Sequence, residues 1–126
     1  MARDRRVDLG KTGEDLACDE LRRRGYAVLE RRFRTRRGEI DVIAQDGATL
    51  VFVEVKLREG TSFGLPIEAV NTVKQRRLAL VALSYLAERR IAPCSCRFDV
   101  VSVLMRGDHA QVEIFKDAFD LNSSTL

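Results

Sequence analysis

The sequence predicts one α/β domain, a mixed central sheet flanked by helices, and three features carry that prediction. Thr12 followed by Asp15 has capping-box spacing, and Gly25 suits the left-handed residue that follows a helix, so a helix is expected over residues 13–24. Asp46-Gly47 separates two apolar runs, the strongest short hairpin signal. Thr72 with Gln75 repeats the capping spacing before a second, longer helix, after which strand-like segments resume. A length of 126 residues fits a single domain with one core.

At 100° per residue, Ala17, Cys18 and Leu21 share one face of the first helix, and Glu14 lies on that same face. A carboxylate turned to the core side needs a partner there. Tyr26 to Phe33 reads as a first strand, and residues 39–45 and 48–56 as the arms of the hairpin. Glu59 to Gly64 is a glycine-containing loop, Pro66 suits the first turn of a short helix, and the long helix is expected to reach about Arg90, ahead of Pro93. Phe98 to Leu104 is a fourth strand, Arg106 to Asp108 a turn, residues 111–115 a fifth strand, and the last five residues a fraying end. The expected order is α-β-β-β-α-β-β, without repeats or linkers.

Net charge is +3, but residues 1–37 hold twelve basic and seven acidic residues, so the basic excess sits in the first third. Arg31, Arg32, Arg34, Arg36 and Arg37 fall within seven positions around Phe33, a cluster suited to neutralising phosphates. The plainer reading is a solvated surface in an arginine-biased chain. No apolar run is long enough to span a bilayer, and residues 1–10 are charged rather than an apolar signal, so a soluble, cytoplasmic protein without a membrane partner is expected. Cys18, Cys94 and Cys96 lack the second pair that a zinc site needs, and His109, the only histidine, sits in a turn.

A two-residue turn at Asp46-Gly47 pairs Gln45 with Ala48, sets Glu39 opposite Glu54, and makes Asp41 a diagonal neighbour of Glu54. Asp41, Glu54 and Lys56 then share one face. Val51, Val53 and Val55 make the other face of that strand apolar, while Leu50 and Phe52 begin the Glu54 face as core. Carboxylates gathered at the end of a buried strand repel unless a cation is present, and a hard divalent ion meets that need. Lys56 could hold an attacking water beside it. Taken alone, Glu54-Val55-Lys56 is an ordinary charged strand face; the shared register of Asp41 separates the two readings.

Gly13-Glu14, Gly38-Glu39-Ile40-Asp41, Phe52-Val53-Glu54-Val55-Lys56 with Arg58, and Arg97-Phe98-Asp99 together resemble the YraN-like family of small bacterial proteins, over about residues 9–121. That family is similar to Holliday-junction resolvases and belongs with the PD-(D/E)xK nucleases. The resemblance implies a restriction-endonuclease-like fold with the core order α-β-β-β-α-β. It implies Mg²⁺ or Mn²⁺ ligation by Asp41, Glu54 and the Val55 carbonyl, with Lys56 the catalytic lysine and Glu14 an accessory acid. Arg31, Arg32, Arg34, Arg36, Arg37, Arg58, Lys74 and Gln75 are the expected nucleic-acid contacts. Arg32 stands where the resemblance favours asparagine, and no tyrosine follows Gln75 at position 79, which argues against an exonuclease. Asp99 is expected to be structural. The expected function is metal-dependent endonucleolytic cleavage of DNA, branched or single-stranded, in repair, recombination or DNA uptake. The alternative is a nucleic-acid-binding protein that keeps the fold without cutting. Symmetric junction cutting would require a homodimer.

Overall fold

The computed structural model describes residues 2–7, 10–60 and 71–119. In chain order these form β1 (Arg3–Arg6), α1 (Gly13–Arg23), β2 (Ala27–Thr35), β3 (Gly38–Asp46), β4 (Thr49–Glu59), α2 (Thr72–Glu88), β5 (Cys96–Arg106) and β6 (His109–Phe119). The strands make one six-stranded sheet in the order β1-β6-β5-β4-β3-β2. Only β4 and β5 are parallel neighbours, and α2 lies in the crossover between them, as a parallel pair requires.

Local chemistry accounts for both helices. Thr12 Oγ1 accepts from Asp15 N–H at 3.0 Å while Asp15 Oδ2 accepts from Thr12 N–H at 3.0 Å, the expected reciprocal box. The helix ends before Gly25, which adopts φ +92. At α2 the expected box is corrected: the cap is Asn71, whose Oδ1 accepts from Lys74 N–H at 2.9 Å, and Thr72 is already helical. The shorter amide reaches the third residue ahead without help from Gln75.

Among the described residues each face of the sheet carries one helix. Leu16, Ala17, Cys18 and Leu21 of α1 pack on Val42, Ala44, Val51, Val53, Val101 and Val103. Leu78, Val81, Ala82 and Tyr85 of α2 pack on Phe33, Ile40, Ile43, Leu50, Phe52 and Phe98. Because β4 is covered on both sides, Leu50 to Val53 are all buried, the continuous apolar run expected of a central strand.

The hairpin differs in register from the expectation. Asp46 pairs with Thr49 and Gln45 with Leu50, so the turn residues are Gly47 and Ala48. Gly47 has φ +61 and Ala48 does not share the left-handed region, the pattern of a turn with glycine first rather than second. Asp46 is drawn into the strand because Arg97 Nη2 donates to its Oδ2 at 2.9 Å. A two-residue slip keeps every side chain on its face. It does move Glu39 away from Glu54: Glu39 pairs with Arg34 of β2.

β1 was not expected. It pairs with residues 109–112 of β6, so the order gains a strand at its start. β5 and β6 also outrun their expected limits at both ends. Glu59 belongs to β4; the rest of the expected loop beyond Gly60, the short helix at Pro66 and the fraying end lie outside the described residues.

Candidate metal and nucleic-acid site

β3 and β4 bring the two carboxylates together at the point where their ladder stops. The last paired residues are Val42 and Val53. One step further, Asp41 Oδ2 accepts from Val55 N–H at 2.7 Å, and the Asp41 carboxyl is a hydrogen-bond neighbour of Glu54. Arg32, across from Asp41 in β2, has φ +57. The distortion sends Ile40 to the α2 core and Val42 to the α1 core, although they are two residues apart. Asparagine tolerates that left-handed conformation better than arginine does, which gives physical content to the residue the resemblance favours there.

Glu54 Oε1 lies 3.8 Å from Lys56 Nζ and accepts from Lys74 Nζ of α2 at 3.2 Å. Asp41, Glu54 and Lys56 therefore lie together. Lys74, expected only as a nucleic-acid contact, sits inside it. Its position at the third residue of α2 follows from Asn71 capping the helix toward the sheet.

The electrostatics are those of two carboxylates and two ammonium groups packed together and partly withdrawn from water. Burial and the Glu54 charge push the Asp41 carboxyl up to about 7, against the opposing pull of the Val55 N–H; contact with Glu54 and the Glu39 charge add to the rise. Burial and the neighbouring Lys74 lower the Lys56 ammonium, with Glu54 and Asp41 opposing. Burial pulls Lys74 down, but its contacts with Lys56 and Glu54 leave it raised overall.

Hard oxygen donors of this kind suit Mg²⁺ or Mn²⁺, which bind through one or two carboxylates and keep waters. Burial and the Glu54 charge raise Asp41, and such a cation would offset both. Among the described residues no three His, Cys, Asp or Glu side chains form a metal-ligand group, so the side-chain donors here are two.

The other expected residues divide by face. Glu14 accepts from Arg31 Nε at 2.7 Å and Arg32 Nε at 3.3 Å, and Arg31 also donates to Asp15 at 2.9 Å, all against α1. Glu14 is thus partnered by guanidinium groups, on the opposite face from Glu54 and α2. Arg34 is paired with Glu39 at 3.3 Å. Arg36 and Arg37 stand in the β2–β3 turn, both exposed. Arg58 is half-buried two residues beyond Lys56, and Gln75 follows Lys74. Asp99 is fully buried and structural: Tyr26 Oη donates to it at 2.8 Å, Arg97 Nε at 2.8 Å and Asp117 N–H at 3.0 Å. Sequence reasoning passed over Arg77, which packs against Gly38; the i, i+3 spacing from Lys74 was the available signal.

The family described as Uncharacterised protein family UPF0102 matches residues 13–103. A UPF0102 protein of Syntrophotalea carbinolica is 50% identical over 117 residues, covering 93% of this chain and 95% of the relative. One of Geotalea daltonii is 49% identical, covering 90% of each. One of Symbiobacterium thermophilum is 54% identical over 95 residues, covering 75% of this chain and 80% of the relative.

Proposed function

Starting from the membership of this chain in the UPF0102 family, the YraN-like family it resembles, we propose that it is a divalent-metal-dependent endonuclease acting on DNA. The observation that carries this reading is the convergence of Asp41 and Glu54 beside Lys56, with Asp41 raised to about 7 by burial and by Glu54. Perturbed carboxylates of this kind mark functional sites. The run α1-β2-β3-β4-α2-β5 follows the restriction-endonuclease-like core order, which supports that fold; β1 and β6 are then additions at its edge.

In this reading Asp41, Glu54 and the Val55 carbonyl hold Mg²⁺ or Mn²⁺. The cation, when bound, supplies positive charge to the scissile phosphate and makes water easier to deprotonate. Asp41 is held at one oxygen by Val55 N–H, leaving the other to ligate. Lys56, with its lowered proton affinity, accepts the proton of the attacking water. Lys74 stays charged and steadies the phosphate. Arg36, Arg37 and Arg58, with Gln75, contribute to nucleic-acid affinity, whereas Arg31, Arg32 and Arg34 are held by Glu14, Asp15 and Glu39 and contribute less. Glu14 orders those arginines rather than acting in the chemistry.

One observation favours the alternative of a non-cutting nucleic-acid-binding protein: Glu54 already has two ammonium groups within 4.0 Å, which satisfy it without a metal. Incubating the purified protein with labelled linear, flap, single-stranded and four-way DNA in Mg²⁺, Mn²⁺ or EDTA decides between them. Cleavage that EDTA abolishes supports the nuclease; tight binding with intact DNA under every condition leaves the binding protein.

A further inference from the structure

Arg36, Arg37, Arg76 and Arg77 form no ion pair among the described residues, unlike the arginines of β2. Thr35, Arg36 and Arg37 of the β2–β3 turn and Ser84 of α2 line a cavity of ≈ 560 Å³. The Thr35 hydroxyl builds its wall, accepting from Arg37 N–H at 3.1 Å. The stem of Arg77 rests on the start of β3: a Cβ on Gly38 would lie 3.1 Å from its Cδ.

These groups lie along one line. Lys74, Arg77 and Ser84 fall within an arc of about 80° on α2, and Ser84 is about 15 Å along the axis from Lys74 at 1.5 Å per residue. Lys74 is bonded to Glu54 at one end of that line, and the cavity sits at the other. A stacked strand rises about 3.4 Å per nucleotide and its winding path adds to that, so the interval spans at most about four phosphates. Arginine forks match phosphate oxygens and stay charged at any working pH.

We infer that the cavity between the β2–β3 turn and α2 seats a backbone phosphate at most about four nucleotides from the one placed at Asp41 and Glu54, so that one strand is gripped along α2. The position of the cut rests on the nuclease reading above; the anion site itself does not.

The test measures binding of labelled single-stranded oligonucleotides of increasing length in EDTA by fluorescence anisotropy, and cleavage of the same series in Mn²⁺. Parent protein is compared with an Arg36→Ala, Arg37→Ala double variant and with Ser84→Leu, which fills the cavity without changing charge; circular dichroism melts confirm that both fold. Affinity of the parent should step up about tenfold once the strand is long enough to reach the cavity, and both variants should lose the step. A parent without a step, or a step kept in either variant, overturns the proposal. So does a uniform loss at every length in the double variant, which would assign the arginines to general attraction. A parent that shows the step but never cuts keeps the cavity and removes the nuclease reading; one that cuts without a step does the reverse.

Discussion

Glu20 and Asp41 are both carboxylates withdrawn from water, and they titrate in opposite directions. Glu20 is fully buried under α1, yet three guanidinium groups reach it: Arg3 Nε at 2.9 Å, Arg23 Nη2 at 2.7 Å and Arg24 Nε at 3.1 Å. Burial raises it, but the bonds from Arg23, Arg3 and Arg24 outweigh burial and leave its carboxyl lowered. Asp41 receives one backbone N–H, and burial first, then the Glu54 charge, raise it to about 7. Burial pushes both up, and what differs is the opposition: three guanidinium groups override it at Glu20, while one N–H does not at Asp41. The fold neutralises one buried acid with arginines where it needs a joint, and sets another beside a second carboxylate where a cation would fit.

The largest expected effect tests the functional half of that contrast. Asp41→Asn should lower Mn²⁺-dependent cleavage by about a hundredfold or more, because an amide is a weak, uncharged ligand, while its melting temperature in EDTA stays the same or rises as repulsion with Glu54 is relieved. A strongly destabilised variant would make Asp41 a structural partner instead, and a variant that cuts like the parent would remove it from the site.

Glu20→Gln should do the converse, costing about 2 kcal/mol in urea titrations and leaving cleavage per folded molecule intact. The guanidinium groups it abandons are partly solvated, which keeps the cost below that of a fully buried broken pair. A neutral result would show that the three arginines need no acid.

Titration sharpens the same contrast. Asp41, raised in the folded state, keeps its proton where the unfolded chain has lost it, so the stability this contributes is full below about pH 4 and is lost as pH rises through about 7. Metal-free protein should therefore weaken between about pH 4 and 7, by at most about 1.4 kcal/mol per unit for a single group, and Asp41→Asn should flatten that slope. Glu20 has the opposite sign, its contribution present above the unfolded carboxylate value and lost in acid below it. A slope that survives Asp41→Asn would place the titrating group elsewhere.

The smallest effect concerns the backbone behind the site. Arg32→Asn should raise stability by about 0.5 kcal/mol, since asparagine accepts φ +57 at less cost and the exposed bond to Glu14 at 3.3 Å contributes little. A loss of stability would mean that the Glu14 contact outweighs the strained conformation.

What could be read in advance follows from which signals are local. The capping box at Thr12, the helix end at Gly25 and the double-sided burial of β4 depend on neighbouring residues and were legible. The hairpin slipped by two because Arg97, fifty-one residues away from Asp46, holds that carboxylate in the strand. Asp41 and Glu54 survived the error only because a slip of two preserves faces. β1 left no apolar pattern to read: Arg3, Asp4, Arg5 and Arg6 are all charged, and ladder bonds to β6 with the Arg3–Glu20 contact hold it in place. Lys74 joined the site through α2 crossing the sheet, a tertiary fact that no spacing within the helix announces. The inward face of Glu14 was legible, but its partners lay in another strand.

Both outer strands of the sheet are rich in arginine, and this bears on self-association. β1 offers Arg3, Arg5 and Arg6, and β2 offers Arg31, Arg32 and Arg34, with its ladder shifted between Val28 and Glu30 and bent again at Arg32. Beyond the reach of β1, β6 carries Glu113, Lys116 and Asp117, the last with φ +52. A second copy laid edge to edge would face guanidinium against guanidinium along a strand that cannot form an unbroken ladder, so the sheet resists templating its own extension into aggregates.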